Sequence, residues 1–214
     1  MLRKPMMRNL LPAAFRCAGL AAVVLGLGGC INKQTVGNDS TVQGTLQVCS
    51  SCHGLEGRSQ NATFPNLAGQ QHDYLVAQLH SFRDKTRADP HAHTYMWGMA
   101  AKLTDETIAG VAAYYASQAP APGQAGDPRE MAAGKKLYDE GIDARNVPAC
   151  MGCHGEHAEG NASIPRLASQ HREYLEEQLG NFASNARANE IMHDTSKTLT
   201  ADQVRAVATF VAAQ

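Results

Sequence analysis

Four of the six cysteines fall in two short strings, CSSCH at residues 49–53 and CMGCH at residues 150–154. Cysteines in this pattern can hold zinc, cycle as a dithiol, or anchor haem. Two CxxC pairs could build a tetrahedral thiolate zinc site. They lie about 100 residues apart, however, and zinc leaves the histidine after each pair without a role. A redox dithiol normally opens a helix in a β-α-β setting, and no stretch of this chain alternates like a strand. Haem accounts for every residue of each string. Thioether bonds from Cys49 and Cys52, and from Cys150 and Cys153, fix the porphyrin, and His53 and His154 then lie beneath the iron. The vinyl groups and the iron sit on one rigid ring. Two residues between the cysteines, and none before the histidine, let a single turn reach all three points. The expectation is two covalently attached haem c groups.

Each iron needs a sixth ligand or stays open. A thioether suits a high-potential electron carrier. Aligning Leu103–Thr104 with Leu199–Thr200 puts Met96 on Met192, each seven residues before its leucine, and Met99 on Thr195. A pliable core filler has no reason to recur at a matched position, so Met96 and Met192 are the expected distal ligands. His91 and His93 compete in the first half, and His193, beside Met192, in the second. His72, His80, His157 and His171 have no cysteine pair beside them and read as surface residues. A proximal histidine usually gives its other N–H to a carbonyl, which orients the ring and tunes the metal. Pro65 in FPNL and Pro165 in IPRL are the candidates to supply it, since proline keeps its C=O and its rigid φ holds that group in place.

The elements that must position these groups come twice. CSSCHG pairs with CMGCHG, FPNLAGQQHDYLVAQLHSF (64–82) with IPRLASQHREYLEEQLGNF (164–182), and MWGMAAKLTDETIAGVAAYYASQ (96–118) with MHDTSKTLTADQVRAVATFVAAQ (192–214). Three blocks in one order mean two copies of a domain. Tyr74, Leu75, Gln78, Leu79 and Phe82 mark one helix face, repeated by Tyr174, Leu175, Leu179 and Phe182. Thr104, ahead of Asp105 and Glu106, opens a further helix striped by Ile108, Val111, Ala112 and Tyr115. Thr200 and Gln203 have capping-box spacing. The fold class expected is all-α. Each half reads as a helix into CxxCH, a proline loop, a helix, a second loop and a last helix. The domains are expected at 43–117 and 129–214, joined by a linker at 118–128 rich in Pro, Gly and Ala. Aromatic residues make up only 6% of the chain, and a haem would fill much of each small core.

Residues 1–29 read as an export signal of lipoprotein type. Arg3, Lys4, Arg8 and Arg16 precede an uncharged run, Cys17 to Gly29, which is shorter than the roughly 20 residues that span a bilayer. LGGC at 27–30 is similar to a lipobox, which would place lipid on Cys30 and leave residues 30–42 as a flexible tether; the other reading is ordinary signal cleavage near Gly28–Gly29, with Cys30 a bystander. Cys17 leaves with the signal, so no cysteine is left over for a disulfide. The remaining chain has 15 basic and 20 acidic side chains. That balance gives no basic footprint for nucleic acid and suits basic partner surfaces.

The pattern of CxxCHG, FPxLAGQ with YL and QL, and MxGMAAKLTDE with AAYYASQ, all doubled over about residues 43–214, resembles the dihaem cytochrome c4 family. The resemblance implies two class I cytochrome c domains related by a pseudo-twofold axis, with haems close enough for fast exchange. It implies axial pairs His53–Met96 and His154–Met192. It also implies a periplasmic carrier passing electrons from a cytochrome bc1-type donor toward terminal oxidases. EIMHDTSKTLT departs from the pattern in lacking the glycine and the AAKL string, and the lipobox points to a tethered relay. The carrier, expected to be a monomer, stands beside two other readings. One is a haem subunit of a larger oxidase or dehydrogenase. The other is a dihaem enzyme, a peroxidase or sulfur-compound dehydrogenase, with one open iron site.

Overall fold

The computed structural model describes residues 39–214. The expected signal, Cys30 and most of the expected tether lie outside the described residues. Helix α1, Ser40–His53, begins inside the span read as tether, because Asp39 caps it and its Oδ1 accepts from the Thr41 N–H at 2.7 Å. It runs unbroken into the first CxxCH and stops at Gly54, φ 79°. A Cβ there would sit 2.4 Å from the Arg58 carbonyl oxygen, so the turn after the histidine requires glycine. Then come α2, His72–Arg83, a single π turn at Ala92–Met96, α3, Trp97–Ala100, and α4, Asp105–Ala116, capped by the Thr104 side chain.

The second half contains α5, Pro128–Glu140, a 3₁₀ turn at Asp143–Arg145, α6, Met151–His154, α7, Arg172–Ala183, α8, Glu190–Ser196, and α9, Ala201–Ala212. The Thr200–Gln203 capping box forms with both reciprocal hydrogen bonds. Among the described residues there are no strands, only two isolated bridges, so the fold is all-α. One difference between the halves lies just before the CxxCH string. The helix of the second half does not run into its CxxCH. It ends at Gly141, φ 68°, where a Cβ would lie 2.2 Å from the Val147 carbonyl oxygen. Ile142 bridges to Val147, Asn146 takes a left-handed conformation, and Pro148 follows. Cys153 and His154 therefore ride on their own short turn.

Each half closes its terminal helices on a glycine. Val42 of α1 packs onto Gly110 of α4, where a Cβ would come within 2.6 Å of its side chain. Gly134 of α5 lies against α9 so tightly that a Cβ would be 2.0 Å from the Ala206 carbonyl oxygen. Buried clusters form around these crossings. Leu46, Leu75, Val111 and Tyr115 belong to one, and Leu137, Tyr138, Val207 and Phe210 to the other. The connecting segment folds back over both halves. Ala119 accepts from the Arg58 guanidinium at 3.0 Å, and the Gln124 N–H donates to the Ala212 carbonyl at 2.8 Å.

Candidate haem centres

His53 ends α1 and His154 ends α6, and both are buried. His53 Nδ1 donates to the Pro65 carbonyl at 2.9 Å, and His154 Nδ1 to the Pro165 carbonyl at 3.1 Å. A carbonyl can only accept, so each Nδ1 carries the proton and each Nε2 is left for a metal. Burial pushes both imidazoles below their ordinary pKa, and the proline carbonyls oppose that shift. The four CxxCH cysteines form no disulfide, so each sulfur is available for a thioether bond.

A cavity of about 640 Å³ extends through both halves. The first half lines it with Cys49, His53 and Met96, the second with Cys150, Cys153, His154 and Met192. Leu75, Val111, Leu175 and Val207 give it an apolar wall. These residues fit haem: an apolar slot with Cys49, Cys150 and Cys153 on its lining and Cys52 exposed, and an imidazole in each half whose Nδ1 is already engaged. They do not form a shared zinc site, since no group of three or more metal-binding side chains gathers among the described residues.

The two methionines reach this cavity from different backbones. Met96 ends the π turn, in which the Trp97 N–H bonds back to the Ala92 carbonyl, a local register common at functional sites. Met192 sits in the regular helix α8, where its own N–H bonds to the capping Asn189 side chain at 2.9 Å. Met99 is 55% exposed. His193 does not line the cavity, and its Nδ1 donates to the Phe182 carbonyl at 2.9 Å. His93 stacks edge-on against Trp97. His91 does line the cavity, with Nδ1 2.9 Å from Glu177 Oε1 of the other half. His72 and His157 are exposed and His80 is half-buried. His171 departs from its expected place on the surface. It is only 7% exposed, because the connecting segment covers it and brings Gln124 Nε2 to 3.1 Å from its Nδ1.

A polar cluster that sequence reasoning missed lies where the halves meet on the cavity wall. Arg87 donates to Asp89 at 2.6 Å, Gln78 at 2.8 Å and Gln178 at 2.9 Å. Arg187 donates to Gln178 at 2.7 Å, Tyr74 at 2.8 Å and Gln78 at 2.9 Å. Both guanidiniums are buried, and Asp89 is fully so. Burial opposes the charge on Arg87, but Tyr174, Tyr74 and Asp89 around it hold its pKa above the ordinary value. Burial alone would raise Tyr74; Arg187 and Arg87 outweigh it and hold the phenol below its usual range. The signal was present in the repeat. Tyr74, Gln78 and Arg87 recur as Tyr174, Gln178 and Arg187, but Asp89 becomes Asn189. The recurrence of the same polar residue types at matched positions was the one trace of this contact in the sequence.

An all-α duplicated domain with a CxxCH turn on the cavity wall of each half defines a dihaem c-type cytochrome. The cytochrome c family model matches residues 43–119 and 131–214. Cytochrome c4 of Azotobacter vinelandii is 35% identical over 203 residues, covering 90% of this chain and 96% of that protein. The solved structure of Acidithiobacillus ferrooxidans cytochrome c4 aligns with a TM-score of 0.75 at 33% identity, covering 78% of this chain and 99% of that one. A protein of Stutzerimonas stutzeri named as a thiosulfate dehydrogenase electron acceptor is 34% identical over 91% of this chain and 92% of its own. The chain belongs to the cytochrome c4 family. It is an electron carrier with two covalently attached haem c groups.

Proposed function

We propose that this chain is a membrane-tethered periplasmic relay that passes single electrons from a bc1-type donor toward a terminal oxidase. The reading places a signal at 1–29, lipid on Cys30, haem domains at 43–117 and 129–214 with the linker 118–128 between them, and a monomer in solution. Cys49 and Cys52 hold one haem, Cys150 and Cys153 the other. His53 with Met96, and His154 with Met192, are the axial pairs, and Pro65 and Pro165 orient the histidines. The bound haem iron supplies the one-electron chemistry. The protein holds both methionine thioethers against the same cavity as the histidines, excludes water with an apolar wall, and takes up no substrate at the metal. The observation that supports the reading is that His53, Met96, His154 and Met192 all line one cavity. No helix among the described residues is long and apolar enough to cross a membrane; in this reading attachment is through lipid on Cys30.

The test is the ferric absorption spectrum, calibrated to haem content. The weak long-wavelength band produced by sulfur bonded to ferric haem should have the intensity of two such haems per chain. Intensity for one haem would mean a second site of different ligation and would favour the dihaem-enzyme reading. None would overturn both methionine assignments. A second donor is supported by the name of the Stutzerimonas relative, which is a thiosulfate dehydrogenase electron acceptor. Reduction of the purified protein by thiosulfate plus such a dehydrogenase, but not by a bc1-type complex, would select it.

A further inference from the structure

The strongest feature outside the ligand sets is a pair of crossed hydrogen-bond clamps. Gln170 Oε1 accepts from the Asn66 N–H at 2.8 Å, and Gln170 Nε2 donates to the Asn66 carbonyl at 2.9 Å. Gln70 Oε1 accepts from the Arg166 N–H at 2.7 Å, and Gln70 Nε2 donates to the Arg166 carbonyl at 2.9 Å. Each oxygen also accepts a second N–H, from His171 at 3.0 Å and from Gln71 at 2.9 Å. The partners leave one orientation for each amide, with N–H groups on the oxygen and a carbonyl on the nitrogen. Both glutamines are 6% exposed.

The identity of the clamped residues matters. Asn66 follows Pro65, so the N–H held by Gln170 belongs to the same peptide unit as the carbonyl that accepts from His53. Arg166 follows Pro165, so the N–H held by Gln70 shares a peptide with the carbonyl that accepts from His154. A trans peptide directs its C=O and N–H to opposite sides. The result is two chains of three groups: His53, the 65–66 peptide, Gln170; and His154, the 165–166 peptide, Gln70. Each begins in one half and ends in the other.

We propose that Gln70 and Gln170 are positioning residues that tune the metal of the opposite half, each through the peptide that holds the other half's histidine. An acceptor on a peptide N–H polarises that peptide and makes its carbonyl a better acceptor. A better acceptor on Nδ1–H raises the basicity of the imidazole. A more basic imidazole stabilises the ferric state and lowers the potential. Loss of Gln170 therefore raises the potential of the His53 haem, and loss of Gln70 that of the His154 haem. The proposal rests on His53 and His154 being the proximal ligands.

The experiment is a redox titration of the full holoprotein and its Q170L and Q70L variants, with the two haems resolved by their haem-methyl resonances. Q170L should shift the His53 haem by about threefold in its reduction equilibrium, ~28 mV at about 59 mV per tenfold, and leave the other haem in place. Q70L should do the reverse. Equal shifts at both haems, a shift confined to the mutated half, or no shift would overturn the proposal. If Q170L does not load haem, Q170M keeps the side-chain length without the acceptor and carries the same expectation. Histidine labelled with ¹⁵N in the wild type separates the two ways to fail. Absence of two hyperfine-shifted Nδ1–H signals from His53 and His154 removes the ligand assignment, and the relay with it. Signals that are present but unmoved by Q170L and Q70L remove the relay alone.

Discussion

Met192 and His193 are adjacent in sequence yet serve different surroundings. Helix α8 turns Met192 to the cavity and gives His193 Nδ1 to the Phe182 carbonyl. Trp97, the residue matched to His193 in the first half, makes the corresponding anchor by donating to the Arg87 carbonyl at 2.8 Å. In both copies the residue after the methionine lies outside the cavity lining and fastens its segment to a backbone carbonyl, and the methionine lines the cavity. M192A should accordingly remove about half of the long-wavelength band, and H193F should leave it intact, both read in the ferric spectrum per haem. A band left at full intensity in M192A would mean that Met192 does not ligate the second iron. M99L should change neither band intensity, because Met99 lies outside the cavity lining.

Element by element, the site depends on where helices stop and how closely they cross. Gly134 lets α5 approach α9 to backbone contact. G134V would drive a branched side chain into the Ala206 carbonyl and Phe210, an overpacking that costs at least about 1–3 kcal/mol. The measurement is thermal unfolding of the holoprotein, where a fall of a few degrees per kcal/mol is expected. The cap of α9 offers a milder case. T200A breaks the capping box and should cost about 1 kcal/mol, with the spectrum unchanged, since Thr200 does not touch the cavity. The periodic helices α2, α4, α7 and α9 were legible because their apolar faces and capping residues are local signals. The break after α5 was not. Gly141 and Pro148 mark it in hindsight, but the strength of the repeat argued for a helix continuous with CxxCH, and tertiary closure through Val147 overrode that.

Across the whole molecule, the contact between the halves is built from polar side chains, and its charge is uneven. Of the two buried guanidiniums, Arg87 pairs with the buried Asp89, while Arg187 is held by the oxygens of Gln178, Tyr74 and Gln78, and Asn189 stands where the first copy has Asp89. Removing one partner of a buried pair leaves the other uncompensated. D89N should therefore destabilise the holoprotein by about 3–5 kcal/mol, measured as a lowered denaturation midpoint. A change below 1 kcal/mol would mean that the glutamine and tyrosine oxygens around Arg87 suffice.

The cysteines, histidines and matched methionines could be read from residue type and spacing alone, because a rigid ring imposes a fixed local pattern and a duplication repeats it. The helical class followed from periodicity for the same reason: both are short-range constraints. Only the tertiary structure brought Gln70 to Arg166, Gln170 to Asn66 and Arg187 to Tyr74, or buried His171 beneath the connecting segment. These contacts join residues far apart in the chain. A buried polar side chain reads as a surface one until the partner that satisfies it is in view.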